Sequence, residues 1–211
     1  MRMISIVIPV FNEHESLHEL YSEINRSIKE YNDWEIIFID DGSSDGSSEK
    51  IIDISLKDSK VKLIKFYRNF GKSAALAEGF KFANGDIIIT MDADLQDDPA
   101  EIPNLISKIN EGFDLVSGWK KIRHDPWSKT FPSKIFNFFT RLLTGVKIHD
   151  FNCGLKAYKS SVIKSIEIFG GRHRYIPAIA GQKRFTISEI IVNHRPRKFG
   201  FTKYGGSRIF H

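Results

Sequence analysis

A chain of 211 residues is long enough for one folded domain with a sizeable core. Its 41% hydrophobic and 27% charged content excludes a disordered or fibrous chain, and no run reaches the ~18 consecutive apolar residues of a bilayer span. The net charge of +5 is uneven. Acid clusters occupy the first hundred residues, while Lys120, Lys121, Arg123, Lys129, Lys134, Arg141 and the stretch 172–203 carry the base, which points to an anionic partner.

The N-terminal MRMISIVIPVFNE is too short, and enters a strand too directly, to be a signal peptide. Residues 4–10 are a near-continuous Ile/Val run, the pattern of a parallel strand buried on both faces. Residues 12–31 read as a helix, with Leu17, Leu20, Tyr21, Ile24 and Ile28 on one face. A second buried strand, 35–40, ends in DDGSSDGS, a turn that can cap a helix over 47–56. A strand at 61–66, a helix at 73–83 and a strand at 87–91 follow. Such alternation predicts a doubly wound, mostly parallel α/β sheet. The opening βα loop has no G-x-G-x-x-G and no Walker lysine loop, so neither phosphate cradle is present.

The strand at 87–91 releases Asp92, Asp94, Asp97 and Asp98, and the C-terminal end of such a strand is where open α/β sheets bind ligands. On an extended segment Asp92 and Asp94 point the same way, and convergent carboxylates call for a hard divalent cation. Gln96 adds a neutral oxygen at the same spacing. D-x-D alone is a weak pattern, and the plainer reading is a solvated acidic loop before a helix at Pro99. The five-residue apolar strand before it favours metal. Asp40 and Asp41 leave the second strand on the same sheet edge, where an acid suits a ribose hydroxyl or a base N–H. Helix capping is the alternative, preferred for Asp45, while Asp40 is read as a ligand contact.

Further on, 99–111 reads as a helix and 114–119 as a strand. A basic, proline-containing loop at 120–134 leads into an amphipathic helix at 133–143, whose aromatic and basic residues suit a membrane interface as well as packing on the sheet. Strands at 152–158 and 185–194 flank a short helix at 160–168. The only cysteine, Cys153, excludes an internal disulfide framework, suits a reducing compartment, and reads as a small buried apolar residue. The tail 195–208 is basic and irregular. The chain stops at Ile209-Phe210-His211 without a helix-ending signal, and we expect the natural protein to continue or to have been trimmed.

Seven stretches in one order, SIVIPVFNE, IIFIDDGSSDG, RNFGKSAAL, GDIIITMDADLQDDP, DLVSGW, DFNCGLKAY and RKFGFTKYGG, resemble the inverting family 2 glycosyltransferases of GT-A fold. They resemble most the polyprenyl-phosphate branch, including dolichyl-phosphate mannose synthase and the bacterial undecaprenyl-phosphate sugar transferases. DADLQDDP is the specific match. The resemblance implies one GT-A catalytic domain over 1–211, with a nucleotide-sugar half (1–98) and an acceptor half (99–211), and family membrane helices beyond His211. It implies a UDP- or GDP-linked sugar donor around Pro9, Phe11, Glu13, Asp40, Asp41, Lys72, Asp92 and Ala93. Mg²⁺ or Mn²⁺ is implied at Asp94 and Gln96. A polyprenyl phosphate acceptor is implied at Lys120, Lys129, Ser133, Arg197 and Lys203, at the cytoplasmic face of the cell membrane.

Lys120 and Lys129 stand where the mannose synthases have arginine, and Thr202 replaces a serine. These departures favour the bacterial transferases. Asp92 and Asp94 are the expected catalytic acids, and Asp150 has two readings. It is a general base if the acceptor is a glycan hydroxyl. It orients the acceptor, or a basic side chain, if the acceptor is an already ionised phosphate. A nucleic-acid-binding module is disfavoured, because the acidic loops would repel phosphate. The aromatic tail is a candidate for self-association.

Overall fold

The computed structural model describes residues 2–122, 137, 139–167 and 170–200. Seven strands form one sheet in the order β3-β2-β1-β4-β6-β5-β7. They are β1 (Ile4–Val10), β2 (Trp34–Asp40), β3 (Val61–Lys65), β4 (Ile87–Thr90), β5 (Leu115–Trp119), β6 (Lys156–Lys159) and β7 (Ile187–Ile191). β1 pairs in parallel with both β2 and β4, β2 with β3, and β5 with β7. β6 runs antiparallel to both of its neighbours, β4 and β5. Its reversal carries the segment before it to the same edge at which the parallel strands end.

The central strands form because their Ile, Val and Phe residues can be buried on both faces. Every residue of β2 is buried, and in β1 only Pro9 is partly open. One core lies on the face of α1 (Leu17–Ser27), α2 (Ser47–Lys57) and α4 (Ile102–Asn110). The other lies on the face of α3 (Lys72–Phe82), α5 (Ser160–Lys164) and α6 (Ile176–Gln182). α1 buries Leu17, Leu20 and Ile24, a single helical stripe. α3 lies unusually close to the sheet: a Cβ at Gly79 would come within 2.5 Å of Val7 Cγ1 and 2.7 Å of Ile39 Cδ1. That approach fixes the N-terminus of α3, and Lys72 with it, over the ends of β1 and β4.

The helix expected over 12–31 begins only at Leu17, because 12–16 form a turn stitched to the loop after β2. The helix expected over 99–111 is split into a 3₁₀ turn, Pro99–Glu101, and α4. The strand expected over 152–158 begins only at Lys156. The basic loop and most of the amphipathic segment lie outside the described residues, as do Lys129, Ser133 and Lys203. Residues 139–144 are helical, with Leu142 and Leu143 68% and 81% exposed. Among the described residues no helix is long and apolar enough to cross a membrane.

Candidate active site

The strand order reverses between β1 and β4, and a ligand crevice opens at such a switch point. The loops after β1 and β2 form one wall. Asn12, with φ +55°, donates its backbone N–H to Ser43 Oγ (2.9 Å), and its side-chain oxygen accepts from Ser44 N (2.8 Å). Glu13 N donates to Ser47 Oγ (3.0 Å). Phe11 and Pro9 are half-buried along this wall.

The acids after β2 build the wall. Asp40 is fully buried; Oδ1 accepts from Ser43 N (2.8 Å) and Oδ2 from the Ser48 hydroxyl. Asp41 accepts Phe70 N (2.7 Å) and Gly71 N (2.9 Å) on its two oxygens and so holds the loop before α3. Both acids, expected at the ribose, thus also hold their own loops in this structure. Asp45 caps α2 through Ser47, as preferred from the sequence, and accepts His14 N (3.0 Å). Ala93 is also buried, its carbonyl accepting the Ser16 hydroxyl (2.6 Å).

The loop after β4 is a turn rather than the expected extended segment, and the Asp92 and Asp94 carboxylates still lie near enough to repel each other. Leu95 adopts φ +63°, and Asp94 Oδ1 accepts Gln96 N (3.1 Å) across the turn. Asp92 pairs with Lys72, and Asp94 Oδ2 pairs with Arg197. The two carboxylates face different cations. Burial raises the Asp92 carboxyl, but Lys72 and Lys120 outweigh it and hold it down at about 2. Burial, followed by repulsion from Asp92 and Asp97, lifts Asp94 to about 6 against the pull of Arg197.

The segment after β7 lies across this loop. His194 bridges Asp97, Arg195 N donates to Gln96 O (3.0 Å), and Gln96 Nε2 donates to Arg195 O (3.4 Å). Arg195 pairs with Glu23 (2.6 Å) and Asp98 (2.5 Å), and Lys198 with Glu19 (2.7 Å). Arg197 reaches furthest in, with NH1 3.3 Å from Glu13 Oε1 and NH2 on Asp94. The residue expected on the acceptor phosphate thus stands against the donor-side carboxylates. Lys120, also expected on the acceptor phosphate, has its ammonium 2.7 Å from Asp97 Oδ1 in a buried pair that pins the acid loop to β5.

Asp150 is 1% exposed. Its Oδ1 accepts Asn152 N (3.0 Å) and its carbonyl accepts the Ser117 hydroxyl (3.1 Å), so it turns the loop before β6. Sequence reasoning missed the other side of Asp92, where Lys156, His173 and Arg174 meet Lys72 around one cavity. The available signal was Lys156, a charge among the apolar Leu155, Ala157 and Tyr158.

The site has hard-cation chemistry: Asp94 and Glu13 already share a guanidinium, and Gln96 adds an amide. Among the described residues no group of three or more His, Cys, Asp or Glu side chains forms a ready metal cage. A divalent ion here would take few protein ligands and complete its shell from phosphate oxygens and water, the habit of Mg²⁺-type sites.

The fold matches glucosyl-3-phosphoglycerate synthase from Mycobacterium tuberculosis, solved in complex with Mn²⁺ and UDP-glucose, at TM-score 0.71 and 20% identity over 93% of this chain and 72% of that one. It also matches a mannosyltransferase from Pyrobaculum calidifontis, solved with GDP-Man and Mn²⁺, at TM-score 0.68 and 16% identity over 90% and 55%. The architecture is the GT-A nucleotide-sugar transferase fold. Residues 5–167 match Glycosyl transferase family 2, and the chain belongs to that family. It is 38% identical to dodecaprenyl-phosphate galacturonate synthase of Rhizobium johnstonii over 98% of this chain and 63% of the relative. It is 40% identical to undecaprenyl-phosphate 4-deoxy-4-formamido-L-arabinose transferase of Salmonella choleraesuis over 99% and 64%. The chain therefore spans under two thirds of the length of these relatives.

Proposed function

We propose that the protein transfers a sugar from a nucleoside diphosphate sugar to a polyprenyl phosphate, with inversion, at a divalent-metal site on the loop after β4. The observation that carries this reading is the pair Asp94 and Glu13, held by one cation at the switch point of the sheet. Both named relatives carry polyprenyl phosphates in their names, which supports the acceptor class. Asp94 and Gln96 would hold Mg²⁺ or Mn²⁺, which supplies charge neutralisation of the leaving diphosphate. Pro9, Phe11 and Glu13 would flank the nucleotide, and Lys72 would hold Asp92 in its ionised form beside the sugar.

The acceptor phosphate is ionised at neutral pH, so it needs positioning and screening rather than a strong base. Arg197, with Lys129, Ser133 and Lys203, would supply that. The exposed Phe139, Leu142 and Leu143 would lie at the cytoplasmic surface of the membrane, bringing the site to its lipid. The test is transfer of radiolabelled sugar from a panel of nucleotide sugars to undecaprenyl phosphate. We expect label in the lipid fraction that disappears with EDTA and returns with Mn²⁺ or Mg²⁺. Metal-independent transfer, or label passing only to glycan hydroxyls, overturns the reading.

A further inference from the structure

On the side of Asp92 away from Arg197, a cavity lies between the N-terminus of α3, the start of β6 and the turn Arg172–Tyr175. Lys72, Asp92, Asn152, Lys156, His173 and Arg174 are its polar lining. Two other lysines drawn out of solvent are matched with a carboxylate: Lys120 with Asp97 (2.7 Å) and Lys159 with Asp114 (2.8 Å). Lys156 breaks that pattern. The residue is 4% exposed, and its ammonium donates to the Cys153 carbonyl, with no carboxylate of the described residues in ion-pairing range. Arg174, at the rim, likewise forms no ion pair with the described residues.

A buried ammonium without a counter-ion is costly, and pairing recovers much of that cost. Burial and Lys72 both weaken the protonated form of Lys156, while Asp150 and Asp92 favour it from a distance. The one carboxylate in the lining, Asp92, is already taken by Lys72. The cavity therefore holds an excess of positive charge, arranged as an inner ammonium and an outer guanidinium fork suited to a planar, two-oxygen anion.

We propose that this cavity is a subsite for an anionic group on the transferred sugar, so that the donor is a nucleotide sugar bearing a carboxylate. This rests on the transferase reading above. The sugar is favoured over the acceptor phosphate because the cavity adjoins Asp92 on the donor loop and is small, about 20 Å³, closer to the size of a carboxylate than of a phosphate ester. Thr90 Oγ1 donates to Gly154 O (2.8 Å), and the Tyr158 hydroxyl lies 3.5 Å from Thr90 Oγ1. The glycine at 154 keeps the cavity open beside the donor loop, since a Cβ there would lie 2.8 Å from the Asp92 carboxylate.

The experiment measures binding to the whole chain with Mn²⁺ by calorimetry. UDP-glucuronate and UDP-galacturonate are compared with UDP-glucose and UDP-galactose, and GDP-mannuronate with GDP-mannose. UDP, GDP and farnesyl phosphate are run alone. We expect one uronate to bind at least tenfold more tightly than its neutral partner. Lys156→Met and Arg174→Gln should each remove that advantage and leave the bare nucleotide unchanged; the exposed Arg174 keeps the test available if Lys156→Met does not fold. Equal affinity for acidic and neutral sugars overturns the proposal. So does a loss confined to farnesyl phosphate, which would assign the cavity to the acceptor. If neither UDP nor GDP binds, the transferase reading itself falls and takes this proposal with it.

Discussion

Asp92 and Asp94 are two residues apart, yet their carboxyls shift in opposite directions, one down to about 2 and the other up to about 6. Burial raises both. The difference lies in their neighbours: Asp92 meets Lys72 and Lys120, whereas Asp94 is repelled by Asp92 and Asp97, and Arg197 with the Gln96 N–H offsets that only in part. The cations around each acid thus give the crevice an acidic face short of positive charge and a basic face short of negative charge. That division is what a donor with a metal-bound diphosphate at one end and an anionic group at the other would satisfy.

The largest expected effect comes from breaking the tether between the two faces. Lys120→Met leaves Asp97 buried without its partner and should cost about 3–5 kcal/mol in denaturant unfolding, as buried pairs do when one member is removed. A loss below about 1 kcal/mol would mean that the pair does not pin the loop. Next is Asp94→Asn, which keeps the shape but removes the charge of the acidic face. Turnover should fall about 100-fold, roughly 2.7 kcal/mol of transition-state stabilisation, and added Mn²⁺ should no longer raise the melting temperature. Arg197→Gln should destabilise the metal-free protein by about 1–2 kcal/mol, because Glu13 and Asp94 lose a shared counter-charge. Mn²⁺ should restore part of that loss; no recovery would separate Arg197 from the cation site.

Much of this frame was legible in the residues. β1, β2 and β4 are apolar runs that only a strand buried on both faces explains, and the acid burst after β4 marks the crevice. Three features were hidden. Asp40 and Asp41 read alike as ligand contacts or as loop-holding acids, because both uses call for a carboxylate at a strand end. The different pairing of Asp92 and Asp94 depends on Lys72 and Arg197, which the fold brings from distant segments and which the D-x-D spacing does not show. The basic cavity depends on β6, whose four residues were too few to announce a reversed strand, and that reversal is what delivers Lys156 opposite Thr90.

The smallest effect probes the basic face alone. His173 Nδ1 lies 2.7 Å from the Ser73 hydroxyl, and burial, then Lys72, Arg174 and Lys156, press its pKa to about 3, against a pull from Asp92. Because the folded value lies below the unfolded value of about 6.5, the unfolded chain binds the extra proton between them. The contribution of His173 is therefore intact above pH 6.5 and is lost as the pH falls toward 3, at no more than about 1.4 kcal/mol per pH unit. His173→Asn keeps an acceptor for Ser73 and cannot take the proton, so it should flatten the decline in melting temperature between pH 6.5 and 4 relative to wild type. Parallel slopes in the two proteins would mean that the histidine does not feel the lysines and the arginine. The basic face would then be far better screened than its lining implies.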